Sequence, residues 1–281
     1  FVQVYLGNAD GTFRVGGFLS VAMAGAQTIA ADFNGDGKLD LASSSGFVAL
    51  GNGDGTFQDA MMFYAISPLA NTFGVWLGAG DFNHDGKLDL AFQTPQNAIV
   101  GQPLLIFAGN GDGTFQNPVS YAWGDLPASG AIADLNGDGN PDIMILSGAN
   151  GRQNNTVAVF LGNPDGSFQP PAYLQVRYGV SPIAILAGDF NGDGNADVAV
   201  MDSGGNAVHL FAGNGNGTFG PDEEFGAACS MLWMGSGYYG GQTKSGYADL
   251  VFFDGSPNSF FTPSNPGGLA ISMLWNTGWQ H

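Results

Sequence analysis

Residues 32–40 read Asp-Phe-Asn-Gly-Asp-Gly-Lys-Leu-Asp (DFNGDGKLD), and the stretch returns as DFNHDGKLD at Asp81–Asp89, DLNGDGNPD at Asp134–Asp142 and DFNGDGNAD at Asp189–Asp197. The four copies start 49, 53 and 55 residues apart. Each is preceded by a short apolar run, such as Thr28 to Ala31 or Ile183 to Ala187, and followed by another, such as Leu39 to Ala42 or Val198 to Met201. Two apolar runs joined by a Gly-rich polar turn predict a pair of antiparallel strands.

A second stretch alternates with the first: YLGNADGTF at Tyr5–Phe13, ALGNGDGTF at Ala49–Phe57, FAGNGDGTF at Phe107–Phe115, FLGNPDGSF at Phe160–Phe168 and FAGNGNGTF at Phe211–Phe219. An Asp-Gly turn between apolar runs is a strong hairpin signal, so this stretch predicts the second hairpin of each unit. Four strands per roughly 50 residues, with no helical periodicity, is what a β-propeller blade requires. A β-solenoid uses shorter repeats, and a sandwich has no reason to repeat its sequence. The two alternating motifs resemble the FG-GAP repeats of integrin α-subunits and of many bacterial secreted proteins, over nearly the whole chain. The resemblance implies an all-β propeller with calcium at the blade edges, in the loop between the first two strands of a blade.

The expected organisation is a single propeller over 1–281, with a half-blade at 1–20, calcium-loop blades at 27–64, 76–122, 129–176 and 183–225, and a degenerate blade at 228–281. Six blades with one incomplete is the first reading; the alternative is a seven-bladed ring whose missing strands lie upstream. A third is completion of the half-blade by another molecule, since an unpaired hairpin edge invites strand addition. The chain starts at Phe1, in mid-repeat, and so reads as a processed or excised piece of a longer precursor.

Calcium takes six to eight hard oxygen ligands. In the first loop, Asp32, Asn34, Asp36 and Asp40 offer side-chain oxygens at positions one, three, five and nine, and Lys38 a backbone carbonyl at position seven. The same set recurs as Asp81, Asn83, Asp85, Lys87 and Asp89; as Asp134, Asn136, Asp138, Asn140 and Asp142; and as Asp189, Asn191, Asp193, Asn195 and Asp197. Asp and Asn also favour plain polar turns, but three like charges at fixed spacing in four copies would then repel for no return. About four calcium ions are expected. Magnesium, which keeps its waters and demands octahedral geometry, fits less well. An EF-hand reading fails, because β-strands flank the loop and Asp at position nine replaces the distant Glu. The fifth unit (Met234 to Leu250) keeps only Asp249 and is expected to hold no ion. The GNxDG turns, Asp54 and Asp112 among them, carry one carboxylate each and read as structural.

The net charge of −18 excludes nucleic acid and anionic membrane surfaces as natural partners. Twelve of the 24 acidic residues lie in the four loops, and a divalent cation in each would bring the charge to about −10. No apolar run suffices for a membrane helix. One cysteine, Cys229, excludes an internal disulfide and reads as a small core hydrophobe. Calcium sites of modest affinity imply a secreted or cell-surface protein.

No catalytic signature is present. His84 sits in a calcium loop and should face solvent, His209 lies in a strand and His281 ends the chain. The expected role is binding or adhesion, to a glycan or protein ligand, with Trp76, Trp123, Trp233, Trp275 and Trp279 as lectin-like candidates, most of which read better as core or inter-blade packing. The alternatives are a self-assembling subunit of an extracellular filament and a polysaccharide lyase drawing on Tyr238, Tyr239, Lys244 and Arg177. The sequons at Asn154 and Asn216 fit exposed loops.

Overall fold

The computed structural model describes residues 2–19, 27–64, 76–93, 103–123, 127–147, 155–177, 182–202, 207–226, 231–237, 249–254 and 270–274, with the backbone alone from residue 226 onward. Cys229, Tyr238, Tyr239, Lys244, Trp275, Trp279, His281 and Asn154, and the side chains of Trp233 and Asp249, lie outside the described residues.

The described residues contain strands and turns and no helix. A two-stranded sheet comes first, β1 (Val2–Gly7) with β2 (Phe13–Leu19). Four meanders of four strands follow: β3 (Thr28–Ala31) to β6 (Met61–Met62), β7 (Trp76–Gly80) to β10 (Val119–Ala122), β11 (Pro127–Ala133) to β14 (Ala172–Gln175), and β15 (Pro182–Gly188) to β18 (Glu223–Gly226). The last sheet has three strands, β19 (Met231–Gly237), β20 (Asp249–Asp254) and β21 (Ala270–Leu274). Every pair is antiparallel and every strand neighbours the next in sequence, the arrangement of propeller blades. The expected all-β chain of four-stranded blades is therefore present.

The nine-residue loops join first to second strands, and the GNxDG turns join third to fourth. Each of four such turns is closed by a bridge: Gly51 to Phe57, Gly109 to Phe115, Gly162 to Phe168 and Gly213 to Phe219. The middle strands are buried on both faces, which explains why β8 (Asp89–Gln93) and β12 (Asp142–Ser147) read as continuous apolar runs between their first and last residues.

The chain divides into two units, residues 1–126 with 163–167 and residues 127–162 with 168–281. In the first, Val48, Leu50, Leu77, Leu90, Phe92 and Phe107 form a core between two sheets. Phe63 stands edge-on to Phe92 and Phe107, at ring separations of 6.1 and 5.4 Å. In the second, Met144, Leu146, Val157, Val159, Val198, Val200 and Phe211 form the corresponding core. Each fully buried side chain of this size stabilises the fold by about 1.5–3 kcal/mol.

Candidate metal centre

The first carboxylate organises each loop. Asp32 Oδ1 accepts the N–H of Gly35 (2.7 Å) and of Asp36 (3.1 Å), and its Oδ2 accepts that of Gly37 (2.8 Å). Asn34 Oδ1 accepts the N–H of Asp36, and Asp36 Oδ1 that of Lys38, so each polar residue bonds two residues ahead. The pattern repeats: Asp81 accepts from Asp85 and Gly86, Asp134 from Gly137 and Gly139, and Asp189 from Gly192 and Gly194. Such curvature needs a left-handed residue at position four, and Gly35 supplies it at φ 72°. In the second loop His84 does so at φ 57°, with its side chain exposed as expected.

The fifth carboxylate meets a positively polarised group in every copy. Lys38 Nζ lies 3.1 Å from Asp36 and Lys87 Nζ 3.8 Å from Asp85. Where position seven is Asn, the amide of position three serves instead: Asn136 Nδ2–H donates to Asp138 (3.0 Å) and Asn191 Nδ2–H to Asp193 (3.1 Å).

The ninth carboxylate is buried and ties the blade together, a role the sequence reading missed. Asp40 accepts the N–H of Phe33 at 2.9 Å and of Gly51, just past the third strand, at 2.7 Å. Asp89 does the same for Phe82 and Gly109, Asp142 for Leu135 and Gly162, and Asp197 for Phe190 and Gly213. The signal was the invariable Gly of the GN pair. A Cβ on Gly51, Gly109, Gly162 or Gly213 would collide with the carbonyl oxygen of the residue before the aspartate. Burial pushes the carboxyls of Asp89, Asp142 and Asp197 up, and the N–H donors pull against it. Neighbouring loop carboxylates push in the same direction as burial, Asp81 and Asp85 in the case of Asp89.

Among the described residues, no three His, Cys, Asp or Glu side chains converge into a metal-holding group. The carboxylates of each loop are turned onto its own N–H groups. The donor set nonetheless fits a hard cation: Asp, Asn, Asp and Asp oxygens with a nearby carbonyl, and a carboxylate oxygen that accepts one N–H retains a second lone pair. In the second unit a cavity of about 330 Å³ opens between two loops, lined by Asp134, Gly137, Asp189, Gly194 and Asn195.

The GNxDG turns work differently. Asp54 Oδ1 accepts the N–H and the hydroxyl of Thr56 at 2.9 and 2.6 Å, and Asp112 holds Thr114 in the same way. The hydroxyl bond above all lowers the carboxyl of each. Asn216 makes both bonds to Thr218 without a charge.

Of the other candidates, Trp76 and Trp123 are core residues. Arg177 pairs with Glu224. His209 is buried, with Nδ1 at 2.9 Å from Asp222.

A family model described as an FG-GAP-like repeat matches residues 98–145, 145–200 and 189–240, just over half of the chain. No curated protein matches. Among solved structures, an Agrocybe aegerita lectin that recognises non-reducing terminal N-acetylglucosamine is similar with a TM-score of 0.57 at 20% identity, over 98% of this chain and 74% of the lectin. BBS1N in its complex with ARL6DN is similar with a TM-score of 0.46 at 12% identity, over 81% and 74%. The fold is a β-propeller.

Proposed function

The chain belongs to the FG-GAP-like repeat family, and from that premise we propose that it is a calcium-stabilised binding module acting outside the cytosol, on the cell surface or after secretion. One observation carries the calcium reading: four loops with the same acidic donor pattern repeat the same nested turn. The residues that would hold the ion are the aspartates and asparagine at positions one, three, five and nine, with the carbonyls of Lys38, Lys87, Asn140 and Asn195. A bound divalent ion supplies positive charge where three carboxylates crowd, and so stabilises the folded chain over the unfolded one. Saturating a single site a hundredfold above its Kd contributes about 2.7 kcal/mol. At about 2–4 °C per kcal/mol for a domain of this size, melting in calcium should exceed melting in chelator by at least about 5 °C. Equal melting temperatures would refute the calcium role.

The module binds rather than turns over its ligand, and the ligand class is a glycan. The lectin relative supports that class as an analogy of fold. The cleft between the loops at Asp134 and Asp189 presents carboxylate and amide groups suited to sugar hydroxyls. A glycan array probed with the whole chain tests this, and Asn195→Ala should remove the signal if the cleft is the site. A blank array overturns the glycan reading and leaves the calcium reading to its own experiment.

A further inference from the structure

The four loops share a nested turn and three carboxylates, and they differ in charge at one place. Position seven is Lys38 and Lys87 in the first two loops, and Asn140 and Asn195 in the last two. Three aspartates and one ammonium leave each of the first two at a formal −2, and three aspartates alone leave each of the last two at −3. The ammonium is docked on the loop. Lys38 Nζ lies 3.1 Å from Asp36 Oδ2, and Lys87 Nζ lies 3.8 Å from Asp85 Oδ2. Each lysine stem is backed by the GNxDG turn of its own blade: a Cβ built on Gly53 would come within 2.9 Å of Lys38 Cδ, and one on Gly111 within 3.0 Å of Lys87 Cδ. In the other two loops the fifth carboxylate accepts a neutral amide N–H instead, from Asn136 at 3.0 Å and from Asn191 at 3.1 Å.

We propose that the loops form two affinity classes, the asparagine loops at 134–142 and 189–197 taking calcium about tenfold more tightly than the lysine loops at 32–40 and 81–89, with the position-seven lysine setting the difference. This inference rests on the calcium reading above. The donors offered to the ion are the same in all four loops, because Lys and Asn at position seven alike give a backbone carbonyl, so the difference lies in the side chain alone. In a lysine loop the incoming cation meets a fifth carboxylate that already holds a positive charge, and it must displace the ammonium or share the carboxylate with it. In an asparagine loop it displaces only an amide dipole. The affinity of calcium loops follows the charge count and rigidity of their ligands. A unit charge a few ångströms from a divalent ion is felt even in the high dielectric of an exposed loop, and salt screens it. Both lysine loops lie in the first unit and both asparagine loops in the second. The second unit therefore fills at calcium concentrations that leave the first largely empty, which gives the chain a graded response to calcium.

The test uses the whole chain, stripped with chelator and returned to calcium in steps, with amide hydrogen exchange read separately in the peptides that cover each loop. Exchange in 134–142 and 189–197 should slow at about tenfold lower calcium than exchange in 32–40 and 81–89, and the gap should narrow as salt is raised. Lys38→Gln with Lys87→Gln should bring the first two loops into line with the last two. Lys38→Arg with Lys87→Arg should leave them weak, because the charge stays. Both lysine side chains are about half exposed, so neither pair of changes disturbs the core. Three outcomes overturn the two classes while leaving the calcium reading intact: all four loops slowing together, the lysine loops slowing first, or a gap that the glutamine variants do not close. Exchange that calcium slows in none of the loops overturns the calcium reading and this inference with it.

Discussion

Three of the four complete blades contain two Asp-Gly turns that put an aspartate to opposite uses. The loop from Asp134 to Asp142 ends on a buried carboxylate that accepts N–H groups from Leu135 and, across the blade, from Gly162. The turn at Asp112 keeps its carboxylate at the surface, where it does no more than hold Thr114 two residues on. The difference shows that turn chemistry alone does not tell how much a turn matters. Burial of the acceptor, and the sequence distance of the donors it serves, decide that.

The largest effect should come from removing the buried acceptor. Asp142→Ala leaves two buried N–H groups without a partner, at about 1–3 kcal/mol each, and should cost about 3–5 kcal/mol in urea unfolding. Asp112→Ala should lower the urea midpoint far less, since it removes only a local turn bond at the surface, and Asp112→Asn should leave it nearly unchanged, because Asn216 already makes the same bonds. Equal losses for Asp142→Ala and Asp112→Ala would erase the distinction. Gly109→Ala comes next. Its methyl would strike the Leu88 carbonyl, and the displacement of strand from loop should cost about 2–3 kcal/mol. A neutral Gly109→Ala would mean that the aspartate bond tolerates a wider gap between strand and loop.

The two aspartates should also titrate in opposite directions. Asp142 is raised by burial, so its contribution to stability is fully present below the unfolded carboxyl pKa and is lost as pH rises through the folded one. Asp112 is lowered by its hydroxyl and amide bonds, so its contribution is present above the unfolded pKa and is lost as pH falls through the folded one. Carboxyl carbon NMR in chelator measures both, and a lowered Asp142 would show that the N–H bonds outweigh desolvation.

The strand pairs and both hairpins were legible in the sequence because they rest on local signals, apolar runs and turn residues at fixed spacing. Thr28 to Ala31 is a strand as expected, and the polar stretch after it is the loop. The work of Asp40 was not legible, because its partner Gly51 lies eleven residues away and the bond forms only once the second and third strands pair. Nor could the motif tell that Lys38 and Lys87 turn their ammonium groups onto the fifth carboxylate while Asn140 and Asn195 leave that task to position three. Trp76 and Trp123 show the same limit: composition offered them as binding aromatics, and only packing identifies them as core.

The smallest effect separates two copies of one loop. Position four is Gly35, Gly137 and Gly192 in three loops, all at positive φ, and His84 in the remaining one. A non-glycine residue in the left-handed region costs about 1–2 kcal/mol, offset in part by the extra freedom that glycine gives the unfolded chain. His84→Gly should therefore stabilise the protein by about 0.5–1 kcal/mol, read as a higher urea midpoint with an unchanged slope. A lower midpoint would mean that the imidazole contributes more than its backbone strain costs, and would mark the second loop as specialised within the repeat.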